Sequence, residues 1–144
     1  SAIRFDEQDV RPMGRTAHGV RGIQLGFDDE VVAMDSVNNE NEEVLTATEE
    51  GLGKRTAVSE YRKQTRGGKG VINIKVTEKT GAVVGMKVIN PEQEILLITA
   101  AGIIIRIDGE GISQFGRNAQ GVKLMTLNEG DKVVSLAAVQ QDNE

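Results

Sequence analysis

The residues with the clearest chemical potential lie in one seven-residue stretch, QTRGGKG (64–70), with Arg62 and Lys63 just upstream. Glycine inside a helix or strand costs conformational entropy and offers no side chain to pack, so this stretch reads as a loop. Arg66 and Lys69 supply positive charge. Gly67 and Gly68 let a backbone come close to a phosphate and leave N–H groups free to donate. The chemistry such a loop can do is recognition of a polyanion. The surrounding charge agrees. Residues 51–75 hold seven cations (Lys54, Arg55, Arg62, Lys63, Arg66, Lys69, Lys75) against one acid, Glu60. That segment is +6 in a chain of net charge −5, so the remainder carries −11. Acids gather at Asp28 to Glu30, at Glu40 to Glu43, and at Asp142 and Glu144. Net charge is thus a poor guide, and a basic edge set against an acidic remainder is an electrostatic track for a polyanion.

Other chemistries fare worse. There is no cysteine, which excludes disulfides and thiolate metal sites. His18 is the only histidine and reads as a solvated loop residue. GLGKRT (51–56) resembles a phosphate loop, but that motif needs a further glycine at position 48, where Thr48 stands. Tyr61, the single tyrosine, follows Glu60 within a repeat and reads as packing or a rim contact rather than as a nucleophile. Acidic runs such as ENEE have no metal-ligand spacing and read as exposed loop. No catalytic set, no metal site and no cofactor site of its own is expected. No apolar run approaches the ~20 residues that span a bilayer, and the N-terminus lacks the apolar core of a signal peptide. The expectation is a cytoplasmic protein without a membrane partner.

The elements that position the loop come from an internal repeat. Offset by 51 residues, RTAHGVRGIQL (15–25) lies over RGGKGVINIKV (66–76) and over RNAQGVKLMTL (117–127). Arg15, Arg66 and Arg117 coincide, as do Gly19, Gly70 and Gly121, and upstream Arg4, Arg55 and Arg106. VLTATEEGL (44–52) likewise lies over ILLITAAGI (95–103). Units of this length built of short strands and glycine turns fit a propeller-like blade better than a helical solenoid. VLTAT, LGKRTAV and KTGAVVGMKVI read as strands and turns. VINIKV alternates Ile72, Ile74 and Val76 with Asn73, Lys75 and Thr77, the pattern of a half-buried strand. Helices should be few. The fold class is all-β: a partial, propeller-like array of about three four-stranded blades. The units run approximately 1–42, 43–93 and 94–139, giving one domain over 1–139 and a short acidic tail at 140–144. The first unit begins partway, with the strand partner of AIRF expected upstream of Ser1.

The box itself resembles a family signature. QTRGGKG differs only at Thr65 from the glycine-rich basic box of the DNA gyrase A-type C-terminal domain: Gln, basic, Arg, Gly, Gly, basic, Gly. FDEQDVRPMGRTAHGVRGIQL, EVLTATEEGLGKRTAVSEYR and GRNAQGVKLMTL are similar to the last half of that domain, so the resemblance covers nearly the whole chain. The family's box sits in its first blade, whereas this copy is in the middle repeat, and the flanking copies MGRTAHG and FGRNAQG have lost the glycine pair.

The resemblance implies a six-bladed β-pinwheel whose basic rim wraps double-stranded DNA. It implies a non-catalytic module supporting ATP-dependent negative supercoiling by a type IIA topoisomerase. ATP and Mg would act through other domains, and the partnership with gyrase B would be made through other domains too. The rim positions it implies are Arg15, Arg66, Lys69 and Arg117, with Arg55, Arg62 and Lys63 beside them and Gly67 and Gly68 shaping the loop. The rival readings are a propeller that grips an acidic protein and the C-terminal domain of the A-type chain of topoisomerase IV. Open blade edges lead us to expect self-association.

Overall fold

A computed structural model describes residues 1–140 of the chain; four residues of the expected acidic tail, 141–144, lie outside the described part. Seven strands form among the described residues: β1 (Glu43–Thr48), β2 (Leu52–Ala57), β3 (Val83–Ile89), β4 (Glu94–Thr99), β5 (Ile104–Asp108), β6 (Val122–Lys123) and β7 (Val133–Val139). The only helical elements among them are three single 3-10 turns, Glu7–Asp9, Val58–Glu60 and Gly109–Gly111, themselves spaced by the repeat. One antiparallel sheet has the order β3-β1-β2-β6 and a second the order β5-β4-β7. The all-β pinwheel reading holds. Of the three expected blades, two are built as sheets, one of four strands and one of three. Residues 1–42 contribute a 3-10 turn and isolated bridges but no strand among the described residues.

The register repeats as the sequence does. Leu45 faces Arg55 and Lys87 across its sheet, and the counterpart Leu96 faces Arg106 and Ala137. β1 is buried along its whole length because both of its faces are covered. Period-two alternation sends Leu45 and Ala47 into a core shared with Ile89, Ile95, Leu97, Ile112, Met125 and Val133, which joins the two sheets. It sends Val44 to the opposite side, into a smaller cluster with Val58 and Tyr61 against Ala2, Val37 and Val71 of the neighbouring segments.

VINIKV is not a strand. Only Val71 pairs, in a bridge to Ala2, while Ile72 and Val76 are exposed and Asn73 and Ile74 are buried. The alternation failed because this segment serves the preceding unit's edge for one or two residues and then leaves it. In the next repeat, β6 likewise pairs only with Leu52 and Gly53 of β2. Asn73 is buried because its side chain bonds to the Tyr61 hydroxyl and donates to Thr46 Oγ1 (3.0 Å). Tyr61 is thus a core residue, the packing role rather than the rim contact that its sequence setting also allowed, and His18 is exposed.

This crossing between units explains the repeated glycine. Gly70 and Gly121 have φ of +76° and +82°. A Cβ on Gly70 would fall on the Ala2 carbonyl, and one on Gly121 on the Gly53 carbonyl. Position and conformation both demand glycine. Gly121→Ala should therefore cost about 2–4 kcal/mol, the sum of left-handed strain and backbone collision. Gly102 has a similar φ of +86° but open space around it, so Gly102→Ala should cost only about 1 kcal/mol. Thermal melts of both variants, read at about 3 °C per kcal/mol, check this. Equal losses would show that the close approach is not what requires glycine.

Candidate nucleic-acid interface

The 64–70 loop lies on the first unit. Gly67 N–H donates to the Gly22 carbonyl (2.7 Å), and Gln24 N–H donates to the Gly68 carbonyl (2.8 Å). Arg66 donates through Nε to the Asp9 carbonyl (3.1 Å) and through Nη1 to the Arg21 carbonyl (2.7 Å). Arg117 repeats the second bond one unit on, donating to the carbonyl of Ile72, the counterpart of Arg21 (2.9 Å). The Gly67 N–H is consequently committed inside the protein and is not free for a phosphate. The loop is instead pinned as a shaped platform. Arg66 keeps three of its five donors and its full charge.

The other expected rim cations divide into two groups. Arg15, Arg62 and Lys69 are exposed, and no hydrogen bond or ion pair holds them among the described residues. Lys63 is exposed and pairs loosely with Asp6 at 3.6 Å. That neighbour and the Gln8 N–H hold the Asp6 carboxyl below its ordinary range, the N–H contributing most.

Arg55 does not belong to the rim. Its side chain is 12% exposed, bonds Glu43 at 2.7 Å, and donates to the Ile112 carbonyl (2.6 Å) and the Glu110 carbonyl (3.5 Å). Its counterpart Arg4 donates to the carbonyls of Val58 and Tyr61, both at 3.3 Å. Each of these arginines holds the 3-10 turn of the following unit. The repeat brings Arg4, Arg55 and Arg106 into register, but a recurring cation beside a basic loop suggested a surface role.

Lys54, one of the seven cations of the basic segment, is not at the surface either. It is fully buried, and its Nζ donates to the carbonyls of Gly116 (2.7 Å) and Arg117 (2.8 Å), tying β2 to the loop that corresponds to 64–70 one repeat later. A signal for this existed: the counterparts of Lys54 are Ile3 and Ile105, so the position is an interior one. Burial pushes the ammonium down to about 8, with Arg117 adding to the fall and Glu60 opposing it. Burial likewise pushes the Tyr61 hydroxyl up to about 12, against a lowering by Thr56. Among the described residues no group of His, Asp and Glu gathers that could hold a metal ion, and no helix is long and apolar enough to cross a membrane.

The chain matches the family model of the DNA gyrase C-terminal domain, beta-propeller, over residues 1–38, 42–90 and 93–140. It is 48% identical over 145 residues to the DNA gyrase A protein of Staphylococcus epidermidis (strain ATCC 12228 / FDA PCI 1200), covering 100% of this chain and 16% of that protein. The chain therefore spans about one sixth of the length of such relatives. Among solved structures it is similar to a DNA gyrase A C-terminal domain (32% identity, TM-score 0.86), covering 93% of this chain and 45% of the other. It is also similar to the C-terminal domain of DNA topoisomerase IV (27% identity, TM-score 0.88), covering 94% of this chain and 42% of that one.

The buried lysine gives a pH dependence whose sign is fixed. Between about 8 and 10.5 the unfolded chain holds a proton on Lys54 that the folded chain has released. Stability therefore rises with pH across that window, by about 1–3 kcal/mol. Between about 10 and 12 the unfolded Tyr61 ionises first, and stability falls. Denaturant midpoints measured from pH 7 to 11 should rise and then turn down. Lys54→Met should abolish the rise and leave the downturn.

Proposed function

The chain belongs to the DNA gyrase C-terminal domain family, and from that premise we propose that it is a non-catalytic module that binds and wraps double-stranded DNA. The observation that carries this is the 64–70 loop. It is pinned at its glycines and Arg66 to the unit before it, with Lys69 and neighbouring Arg62 left exposed. The loop recurs at one point of each unit, pinned most fully in the middle copy and tied through Arg117 in the last, so cations recur at fixed intervals along an edge. That geometry suits successive phosphates better than it suits bases, because short loops cannot fill a groove with a specific donor pattern.

Arg15, Arg62, Lys63 and Lys69 make the phosphate contacts in this reading. Arg66 and Arg117 add field and hold the loops, Gly67 and Gly68 shape the middle one, and Arg55 acts inside. Wrapping must offset a bending cost of order 1–6 kcal/mol per ~20–30 base pairs, which repeated phosphate contacts supply. Within the whole protein, the module serves ATP-dependent negative supercoiling by a type IIA topoisomerase in the cytoplasm. Gyrase B, ATP and Mg act through other domains. The division into units at about 1–42, 43–93 and 94–139 is part of the same reading. A topoisomerase IV origin has support from the similarity in fold, but the near-complete QTRGGKG box favours gyrase.

Binding to arbitrary duplex DNA should weaken with salt at a log–log slope of about −4, for roughly four phosphate contacts. Arg62→Ala combined with Lys69→Ala should flatten that slope by about 1.8, equally for all sequences, with folding unchanged. Arg66→Ala should lower the melting temperature as well, because it removes two bonds to main-chain carbonyls. Fluorescence anisotropy at several salt concentrations, with a melt of each variant, measures both. A double variant that binds as the parent does would remove the middle loop from the interface.

A further inference from the structure

The chain contains two junctions between units, and the repeat lets them be compared position by position. In the first junction Arg66 donates to the Arg21 carbonyl; in the second, Arg117 donates to the Ile72 carbonyl. This tie between a side chain and a main chain is kept in both. The cations around it are not. Arg62, Lys63 and Lys69 have Ser113, Gln114 and Gln120 as their counterparts in the second junction. Arg21, whose counterpart is Ile72, follows the same division, so it sorts with the free cations of the loop and not with the anchoring arginine. Against this set the second junction offers a single exposed cation, Lys75, where the first has Gln24.

Arg21 belongs to the first unit in sequence and to the second unit's loop in space. Gly67 N–H donates to the Gly22 carbonyl and Gln24 N–H to the Gly68 carbonyl, so the two segments run side by side (2.7 and 2.8 Å). A Cβ on Gly67 would lie 3.4 Å from the Arg21 carbonyl oxygen and 4.0 Å from Arg21 Cβ and Cγ. The stem of Arg21 therefore rests over a backbone that carries no side chain, and Gly67 takes a left-handed φ of +88° there. Asn118, in the corresponding place, has no positive φ. Arg21 is exposed, and no hydrogen bond or ion pair holds its guanidinium among the described residues. That exposure does not come from where the sequence begins. Ile72, at the same position in a unit with a neighbour on either side, is 55% exposed.

We infer that Arg21 is a further phosphate-contacting residue for duplex DNA, supplied by the first unit to the loop of the second. The first junction is then a grip made by two units, and the second junction is not. The inference rests on the DNA-binding reading of the 64–70 loop and adds to it a residue outside that loop. A guanidinium presents a rigid fork of donors that matches phosphate oxygens. Its stem lies on main chain that Arg66 and Gly67 already fix, so less freedom is lost when the head meets its ligand. Contact along the edge is accordingly graded, dense at the first junction and sparse at the second.

Arg21→Gln keeps a stem over Gly67 and removes the charge, whereas Arg21→Lys keeps the charge. Fluorescence-anisotropy titrations of an arbitrary duplex at several salt concentrations should give Arg21→Gln a log–log slope shallower than the parent's by about 0.9, equally for unrelated sequences, and Arg21→Lys the parent's slope. Lys79 is exposed in a turn whose Thr80 carbonyl accepts from Glu50 N–H (3.2 Å), away from the loop. Lys79→Ala removes the same charge there and should leave the slope unchanged. Melts of all three variants should match the parent's, because exposed charges contribute little to folding. If Arg62→Ala with Lys69→Ala flattens the slope and Arg21→Gln does not, this inference falls while the DNA-binding reading stands. If Lys79→Ala flattens it as much as Arg21→Gln does, the effect is one of net charge and the inference falls as well. A parent that binds no duplex at low salt overturns both readings.

Discussion

An arginine that reaches out of one unit and holds the main-chain carbonyls of the next is the contact on which this structure turns. Hydrogen bonds to a charged donor are worth about 1.5–3 kcal/mol each, and they are directional, so they set register as well as holding surfaces together. Arg55 does this while buried against Glu43 with little exposure on either partner. Truncating one member of such a pair leaves an uncompensated buried charge, at a cost of about 3–5 kcal/mol. The clamp works only if the two backbones come close. That closeness is what makes Gly70 and Gly121 obligatory, and what lets Lys54 reach the carbonyls of the following loop.

Much of this was legible beforehand, and the failures have physical causes. The repeat located β1, β2, β3 and their counterparts, because two-sheet cores demand period-two apolar runs between glycine turns. It placed Gly70 and Gly121 in register without giving a reason for them; approach to another main chain is the reason observed. VINIKV misled because alternation in a segment that leaves its sheet after one pair says nothing about burial. Arg55 and Arg66 misled in a different way. An arginine's long stem lets its head serve the interior or the surface from the same sequence position, and only the whereabouts of carbonyls decides. Lys54 could have been found by comparing it with Ile3 and Ile105.

The division of labour among cations follows from this. Those near the clamp and the loop anchors are spent on carbonyls, and those without nearby carbonyls face solvent. An overall acidic chain can then present a basic edge, because the acids lie mainly outside residues 51–75. A surface organised this way concentrates positive field along one edge at fixed positions.

The exchange of β6 has a consequence for how the chain comes into being. Gly53 waits for Val122, which a ribosome makes only after the whole of β3, β4 and β5. At roughly 5–20 residues per second, the outer edge of β2 stays bare for several seconds, a template for any extended segment nearby. Lys54 sits in that edge with an unspent ammonium until Gly116 and Arg117 emerge. A charge stranded in an unfinished edge opposes pairing with a stray apolar strand, so the residue that later locks the loop also guards the edge while it waits.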